Sequence, residues 1–273
     1  MIASIDDVSE FARRKLREAR EGSEEIPFHL VERFSAKAMS VRNAKEGSLA
    51  ASISIVDDPR FAVLKHSMGQ LAWAVVLSVD LRNSTWRAMN HGAEATYLTM
   101  HTYLPTMEYI VGKAGGKVIG LRGDGLFAGF GITECNEEER VFTSAIASKA
   151  ASDSVKCGHG MIEAVRDVIN PILEDDGVPD GLAVGVGIDT GQVVITRIGL
   201  DTANEVTAYG DCVNRACKRC NGNNVVYISR AVVDYYPTSD GGTVKFVSAG
   251  ENGYRLKSFP YDVLSRGRAR KAK

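Results

Sequence analysis

The chain has 273 residues, 44% of them apolar and 25% charged, with a formal net charge of −1. These fractions are those of an ordinary globular protein and exclude a disordered or fibrous chain. The near-zero charge gives no global case for nucleic acid or an anionic membrane as partner, and the length suits one large domain, or one domain with an extension.

No apolar run is long enough to span a bilayer, and the N-terminus is charged from Asp6 onward, unlike a secretory signal. Five cysteines, an odd number, fit a reducing compartment better than a disulfide framework. A cytoplasmic location is expected.

Residues 1–69 read as an N-terminal helical extension and linker. Ile5, Val8, Phe11, Ala12, Leu16 and Ala19 recur at helical spacing over 5–21, and the stretch from Gly22 to Gly69 is weakly patterned. Packing on the main domain and support of a dimer fit this helix equally well. The main domain is expected over 70–265, and the basic run 266–273 as a solvated tail.

Within the main domain, 71–81 is a continuous apolar run ending in an acid, which predicts a buried central strand. Ser84 or Thr85 suits the cap of a helix running to about Ala114, with Pro105 as a kink inside it. Gly115 and Gly116 stop that helix. Strands at 117–121 and 126–131 form a hairpin turning at 123–125. A long helical region follows from Glu137 to about Leu173, then a turn-rich stretch at 175–181. Residues 182–199 read as two strands around Asp189, Thr190 and Gly191. A helix from about Asp211 to Cys220, a strand from Val225 to Ser229, a short helix and two closing strands complete the chain. The β-α-β-β-α-β order over 71–195 predicts an α+β fold: a ferredoxin-like sheet with covering helices.

Asp80 closes the first strand and Asp124 sits in the turn of the next hairpin. A lone Asp in such a place is ordinarily a turn or cap residue. Two of them at the ends of strands about 5 Å apart can grip the same cations, and hard oxygen ligands suit Mg²⁺ or Mn²⁺. Between them runs Arg82-Asn83-Ser84-Thr85, where a strand passes into a helix whose first amides can cradle phosphate oxygens; ordinary Ser/Thr capping is compatible with that role. Farther on, Asn214 and Lys218 lie four apart and share a helix face, an amide and a cation suited to orienting a sugar and balancing phosphate charge. Cys217-x-x-Cys220 has zinc-ligand spacing but no matching second pair, so small buried cysteines are the better reading. The glycines of 115–125 fit neither the dinucleotide fingerprint nor the P-loop.

From about Leu71 to Leu264 the chain resembles the catalytic domain of class III nucleotidyl cyclases. Four segments carry the resemblance, in the right order: VLSVDLRNST (76–85), GGKVIGLRGDGLFAGFG (115–131), GVGIDTGQVV (185–194) and YGDCVNRACKR (209–219). The D-x-R-x-S-T start is also similar to the pyrimidine cyclases of bacterial antiphage Pycsar systems.

The resemblance implies that Asp80, Asp124 and the carbonyl of Leu81 bind two Mn²⁺ or Mg²⁺ ions per site. It implies that Asn214 positions the ribose, and that Lys218 stands where the family usually has a transition-state arginine, with Arg219 and Arg215 as alternatives. Lys257 matches a triphosphate-binding lysine. Gly120 and Thr207 occupy the two base-reading positions, where adenylate cyclases commonly carry lysine and aspartate. Without that polar pair, a site loses its discrimination for adenine, so the chain either reads a different base or reads ATP or GTP with other residues. The resemblance of its D-x-R-x-S-T start to the pyrimidine cyclases favours a pyrimidine triphosphate, UTP before CTP. The expected reaction gives the 3′,5′-cyclic nucleotide and pyrophosphate, in a symmetric homodimer with two interface sites. An antiphage role would add a separate effector that reads the product. The alternatives are an adenylate or guanylate cyclase and a catalytically silent, nucleotide-sensing dimer.

Overall fold

The structure, a computed structural model, describes residues 2–24, 26, 54–55, 58–62, 64–65, 68–134, 144–179, 181–200, 203–237, 244–256 and 262–265. A short strand, β1 (Ala3–Ser4), leads into α1 (Ile5–Ser23), where the Ser4 hydroxyl accepts the N–H of Asp6. Asp6 and Asp7 in the first turn and Arg20 in the last suit the helix dipole. A short turn, α2 (Pro59–Ala62), precedes the long strand β2 (Gly69–Leu81). Helix α3 (Ser84–Lys113), the hairpin β3 (Lys117–Arg122) and β4 (Gly125–Glu134), and helix α4 (Ser144–Ala164) follow. A π-turn at Val165–Ile169 joins α4 to α5 (Asn170–Asp175). Next come β5 (Val184–Leu200), β6 (Ala203–Tyr209), α6 (Asp211–Arg219), β7 (Val225–Ile228) and α7 (Arg230–Tyr235). The short strands β8 (Phe246–Ser248), β9 (Tyr254–Leu256) and β10 (Leu264–Ser265) complete the described chain.

The main sheet runs β3-β4-β2-β5-β7-β9-β8, with β6 paired to the far end of β5. β2 is antiparallel to both of its neighbours, β4 and β5, while β5 and β7 run parallel. The series β2-α3-β3-β4-α4-β5 is the ferredoxin-like order expected from the sequence.

Residues of β2 alternate between two apolar layers, as the pleat requires. Val75, Leu77 and Val79 pack with Leu98, Tyr103, Met107 and Ile110 of α3, Met161 of α4 and Val8, Ala12 and Leu16 of α1. Ala72, Ala74 and Val76 pack on the other face with Ile55, Phe61, Ile119, Val193, Cys212 and Ala216. Each fully buried large aliphatic side chain contributes ~1.5–3 kcal/mol, so the first face carries most of the stability. Helix α1 shares that core, which decides its placement: it packs on α3, with Phe11 stacked on Tyr109 at 4.5 Å. Both ends of the described chain are clasped. β1 pairs in parallel with β10, and the buried Glu163 carboxylate accepts the amides of Val263 and Leu264 at 2.9 and 2.7 Å.

Four expectations need correcting. The break in α3 falls at Gly92 (φ 82, ψ 175), not at Pro105. Thr102, Tyr103, Thr106 and Met107 are buried on both sides of the proline and hold the axis, whereas exposed Gly92 has no Cβ to oppose the turn. The expected Ser84 or Thr85 cap is absent: Asn83 holds that position in the left-handed region (φ 57) and makes no side-chain cap bond. Strand β5 runs unbroken through Asp189–Gly191, because those residues are paired to Val76, Val75 and Ala74 of β2; tertiary pairing overrides turn propensity. Strand β6 was not foreseen, since only Val206 and Ala208 of its described side chains join the apolar core. The expected start of the long helix at Glu137 lies outside the described residues, as do most of the linker between α1 and β2 and the basic tail.

Candidate active site

β2 delivers Asp80 to the rim of the sheet, opposite Gly125 on β4 and Gly185 on β5. Asp124 immediately precedes Gly125 in the hairpin turn, beside Gly123 with φ 61. Gly125 is required by proximity: a Cβ there would lie 2.7 Å from the Val79 carbonyl and 3.1 Å from Asp80 Oδ1. The two acids are therefore neighbours across one strand pair. Burial raises the Asp80 pKa above the ordinary aspartate range, and the negative charge of Asp124 adds to the shift, while Arg82 opposes it. The Arg82 guanidinium pairs with Asp80 Oδ2.

Beneath the acids lies Tyr103, fully buried. Its hydroxyl and Arg82 Nε find no hydrogen-bond partner among the described residues. Burial, then Asp80 and Asp124, hold the Tyr103 phenol well above its usual pKa.

The acids open onto a cavity of about 520 Å³ lined by Asp80, Leu81, Arg82, Asn83, Ser84, Thr85, Trp86, Met89 and Asp124. Cavities of ~300–1,000 Å³ are typical of small-molecule sites. One wall is the first turn of α3, whose amides have no side-chain cap and so stay available to an anion. The metal-binding and phosphate-loop residues expected from the sequence thus share one cavity.

The residues fit a hard divalent cation. Among the described residues no cluster of three or more His, Cys, Asp or Glu side chains forms a closed metal cage. Two carboxylates and a nearby carbonyl are the partial oxygen set that Mg²⁺ uses when water and substrate phosphates complete its shell. The raised pKa of Asp80 marks a place where a cation would relieve repulsion.

Asn214 and Lys218 are both exposed on α6 and do not line this cavity. Cys212 and Ala216 face the sheet, so by helical geometry Asn214 and Lys218 point away from it. Arg215 and Arg219, the alternatives to Lys218, are already engaged. Arg215 Nε and Arg219 Nη1 donate to Asp189 Oδ2 at 2.9 and 2.6 Å. Asp189 is 2% exposed and is the residue that sequence reading passed over, although every second position around it is glycine (Gly185, Gly187, Gly191). Of the three cysteines near α6, Cys212 and Cys220 are buried and Cys217 is half-buried; the Cys220 thiol, donating to the Ser78 carbonyl, is pushed up to about 12 by burial.

Gly120 and Thr207, the base-reading positions expected from the resemblance, sit on β3 and β6, which touch. Thr207 is buried, and a Cβ at Gly120 would face open space. Lys257 lies outside the described residues.

This topology is the fold of solved class III nucleotidyl cyclases. The adenylyl cyclase CyaB from P. aeruginosa superposes with a TM-score of 0.59 at 21% identity, over 71% of this chain and 98% of that one. In sequence the chain is similar to a cytidylate cyclase of Escherichia coli, 27% identical over 204 residues, 72% of this chain. It is also similar to a uridylate cyclase of Rhodovulum sp. (strain MB263), 23% identical over 209 residues, 74% of this chain. The matches span 43% of the first relative's length and 80% of the second's. No family model matches the chain. No helix among the described residues is long and apolar enough to cross a membrane.

Proposed function

We propose that this chain is a divalent-metal-dependent nucleotidyl cyclase acting on a pyrimidine nucleoside triphosphate, with UTP expected ahead of CTP. The observation that carries the reading is the Asp80–Asp124 pair at the mouth of a nucleotide-sized cavity, beside an uncapped helix start.

Asp80, Asp124 and the Leu81 carbonyl would hold two Mn²⁺ or Mg²⁺ ions. Bound there, the ions would lower the pKa of the ribose 3′-hydroxyl and neutralise the phosphate chain. The chain's own residues supply position and charge. The first amides of α3, with Ser84 and Thr85, receive phosphate oxygens; Arg82, released from Asp80, adds a guanidinium at the same wall. Asn214 orients the ribose so that its 3′-oxygen lies in line with the α-phosphorus, and Lys218 balances charge as pyrophosphate leaves. Lysine gives that charge without the planar fork of an arginine. With Arg215 and Arg219 both tied to Asp189, Lys218 is the cation of α6 left to do so. Positioning and electrostatics suffice for such a transfer, without a dedicated side-chain base.

Asn214 and Lys218 lie outside the cavity of their own chain, so a second copy must bring them to it. An exposed apolar surface supports that assembly. Leu71, Val194 and Tyr209 are exposed and adjacent in register across β2, β5 and β6, with exposed Ile198 and Leu200 continuing along the arm. The reading is therefore a homodimer with two shared sites.

The pyrimidine preference rests on the missing base-reading pair at Gly120 and Thr207 and on the two relatives. Incubating the purified chain with Mn²⁺ and each of the four ribonucleoside triphosphates, with products read by mass, tests it. Cyclic UMP or cyclic CMP in excess of the purine products is the expected outcome. ATP or GTP turning over faster selects a purine cyclase, and metal-dependent binding with no pyrophosphate release selects a silent sensor. A role in antiphage defence, with a separate effector reading the product, predicts that cyclic pyrimidine nucleotide rises in cells only after phage infection.

A further inference from the structure

The underside of α6 rests on an unusual seat. Positions 185, 187, 189 and 191 of β5 share one face, and three of the four are glycines. A Cβ at Gly187 would stand 2.0 Å from the Ala216 carbonyl, and one at Gly185 would stand 2.7 Å from that of Cys220. The helix backbone thus lies directly on the strand. A glycine track brings the two elements close but has no knobs, and by itself it does not resist rotation of the helix about its axis.

The one side chain on that track is Asp189. Its Oδ1 accepts the Thr190 amide at 2.8 Å, which fixes the carboxylate. Its Oδ2 accepts from Arg215 and Arg219, which are one helical turn apart. Two grips a turn apart on one stripe set both roll and register. Arg219 Nη1 also donates to the Arg215 carbonyl at 3.2 Å, tying the grips together. Asn214 and Lys218 each directly precede one of these arginines, ~100° back around the helix. Fixing the arginines therefore fixes the direction in which Asn214 and Lys218 project.

We propose that Asp189 is the positioning residue that aims Asn214 and Lys218, so that a carboxylate buried in one chain sets the geometry of a site completed by the other. This rests on the shared-site cyclase reading above. Full-length variants are assayed with Mn²⁺ and whichever triphosphate the wild type turns over. Asp189→Ala is expected to lower kcat ~100-fold with KM within about threefold, since a misplacement of about 1 Å can cost that much. Asp189→Asn keeps one acceptor oxygen for the two arginines, with its NH₂ turned toward the Thr190 amide, and should return to within about tenfold of wild type.

Mixed dimers separate aiming from folding. Asp189→Ala and Asp80→Ala, each nearly inactive alone, should regain one working site when mixed, with acids from the first chain and α6 from the second. A mixture of Asp80→Ala and Lys218→Ala serves as control. Regain in the control but not in the Asp189→Ala mixture overturns the proposal, because Asp189 is then needed by its own chain's acids or fold. A raised KM with unchanged kcat overturns it as well. No regain in the control refutes the shared site itself, and no cyclic product from wild type with any triphosphate refutes the cyclase.

Discussion

Asp80 and Asp189 stand on neighbouring strands of the same sheet in opposite circumstances. The Asp80 side chain is 40% exposed; burial first, and then the like charge of Asp124, push its carboxyl toward the protonated form against the pull of its partner Arg82. That of Asp189 is 3% exposed, with two guanidinium groups paired to it. An acid beside a like charge at a rim is placed to gain from a cation, as proposed above, whereas an acid fully answered in the interior serves as scaffold. On the proposed reading, one carboxylate of the sheet would bind the cation, while another holds helix α6 in place.

The largest effect should come from the acid in repulsion. Asp80→Ala and Asp124→Ala are each expected to lower turnover by ~10³-fold or more, about 4 kcal/mol of barrier. Their unfolding midpoints in chelator should stay near wild type, because neither side chain is core. Wild-type turnover in either variant removes the metal assignment, and a collapsed midpoint would mean that the acids are scaffold after all.

Next is Gly187→Ala, which disturbs the seat of α6 and leaves Asp189 in place. The new Cβ must push the Ala216 carbonyl away from 2.0 Å, and overpacking of this kind costs ~1–3 kcal/mol. Stability by denaturant titration should fall by that amount, and kcat should fall with it as α6 lifts. Unchanged stability would show that the helix does not lie where the glycines put it.

Glu163 sharpens the comparison as a third acid, buried like Asp189 but answered mainly by neutral amides. Burial raises its pKa, partly offset by those amides. Glu163→Gln keeps one acceptor and turns an NH₂ toward the other amide. Leaving a buried N–H unpaired costs ~1–3 kcal/mol, offset in part by the charge no longer buried, so a loss of about 1 kcal/mol is expected. Faster proteolysis near Val263 and Leu264 would show where the clasp opens.

The contrast also explains what was legible in the sequence. Asp80 and Asp124 could be read because an apolar run ending in an acid, and a Gly-Asp-Gly turn, are local patterns that strand geometry converts into proximity. The βαββαβ core followed from the same kind of signal. Asp189 was not legible in this way: its partners lie 26 and 30 residues onward, and its own neighbourhood looked like a turn. The Gly-x-Gly-x-Asp-x-Gly alternation was the available clue, since glycines at every second position of a strand mark a face where another backbone approaches. The Gly92 break was hidden by Pro105, the stronger nominal helix breaker, because burial around the proline is a tertiary fact.

The smallest expected effect is also the one that tests the repulsion directly. The Asp80 pKa lies above the ordinary value of 3.8, so the folded chain holds that proton more tightly than the unfolded chain does. Its stabilising contribution is then fully present below pH 3.8 and lost as pH rises through the folded value. At neutral pH in chelator, Asp80→Asn should therefore be the more stable protein. Partial exposure and solvent screening limit the gain to a few tenths of a kcal/mol. The gap should close as pH falls through the folded pKa, and reverse when Mn²⁺ is added, because the cation stabilises only the carboxylate form. Chemical denaturation of both proteins at pH 7 and at pH 3.5, with and without Mn²⁺, measures all three signs. If wild type is the more stable protein at pH 7 without metal, the Arg82 pair outweighs Asp124, and the acid at the rim is as fully answered as the one inside.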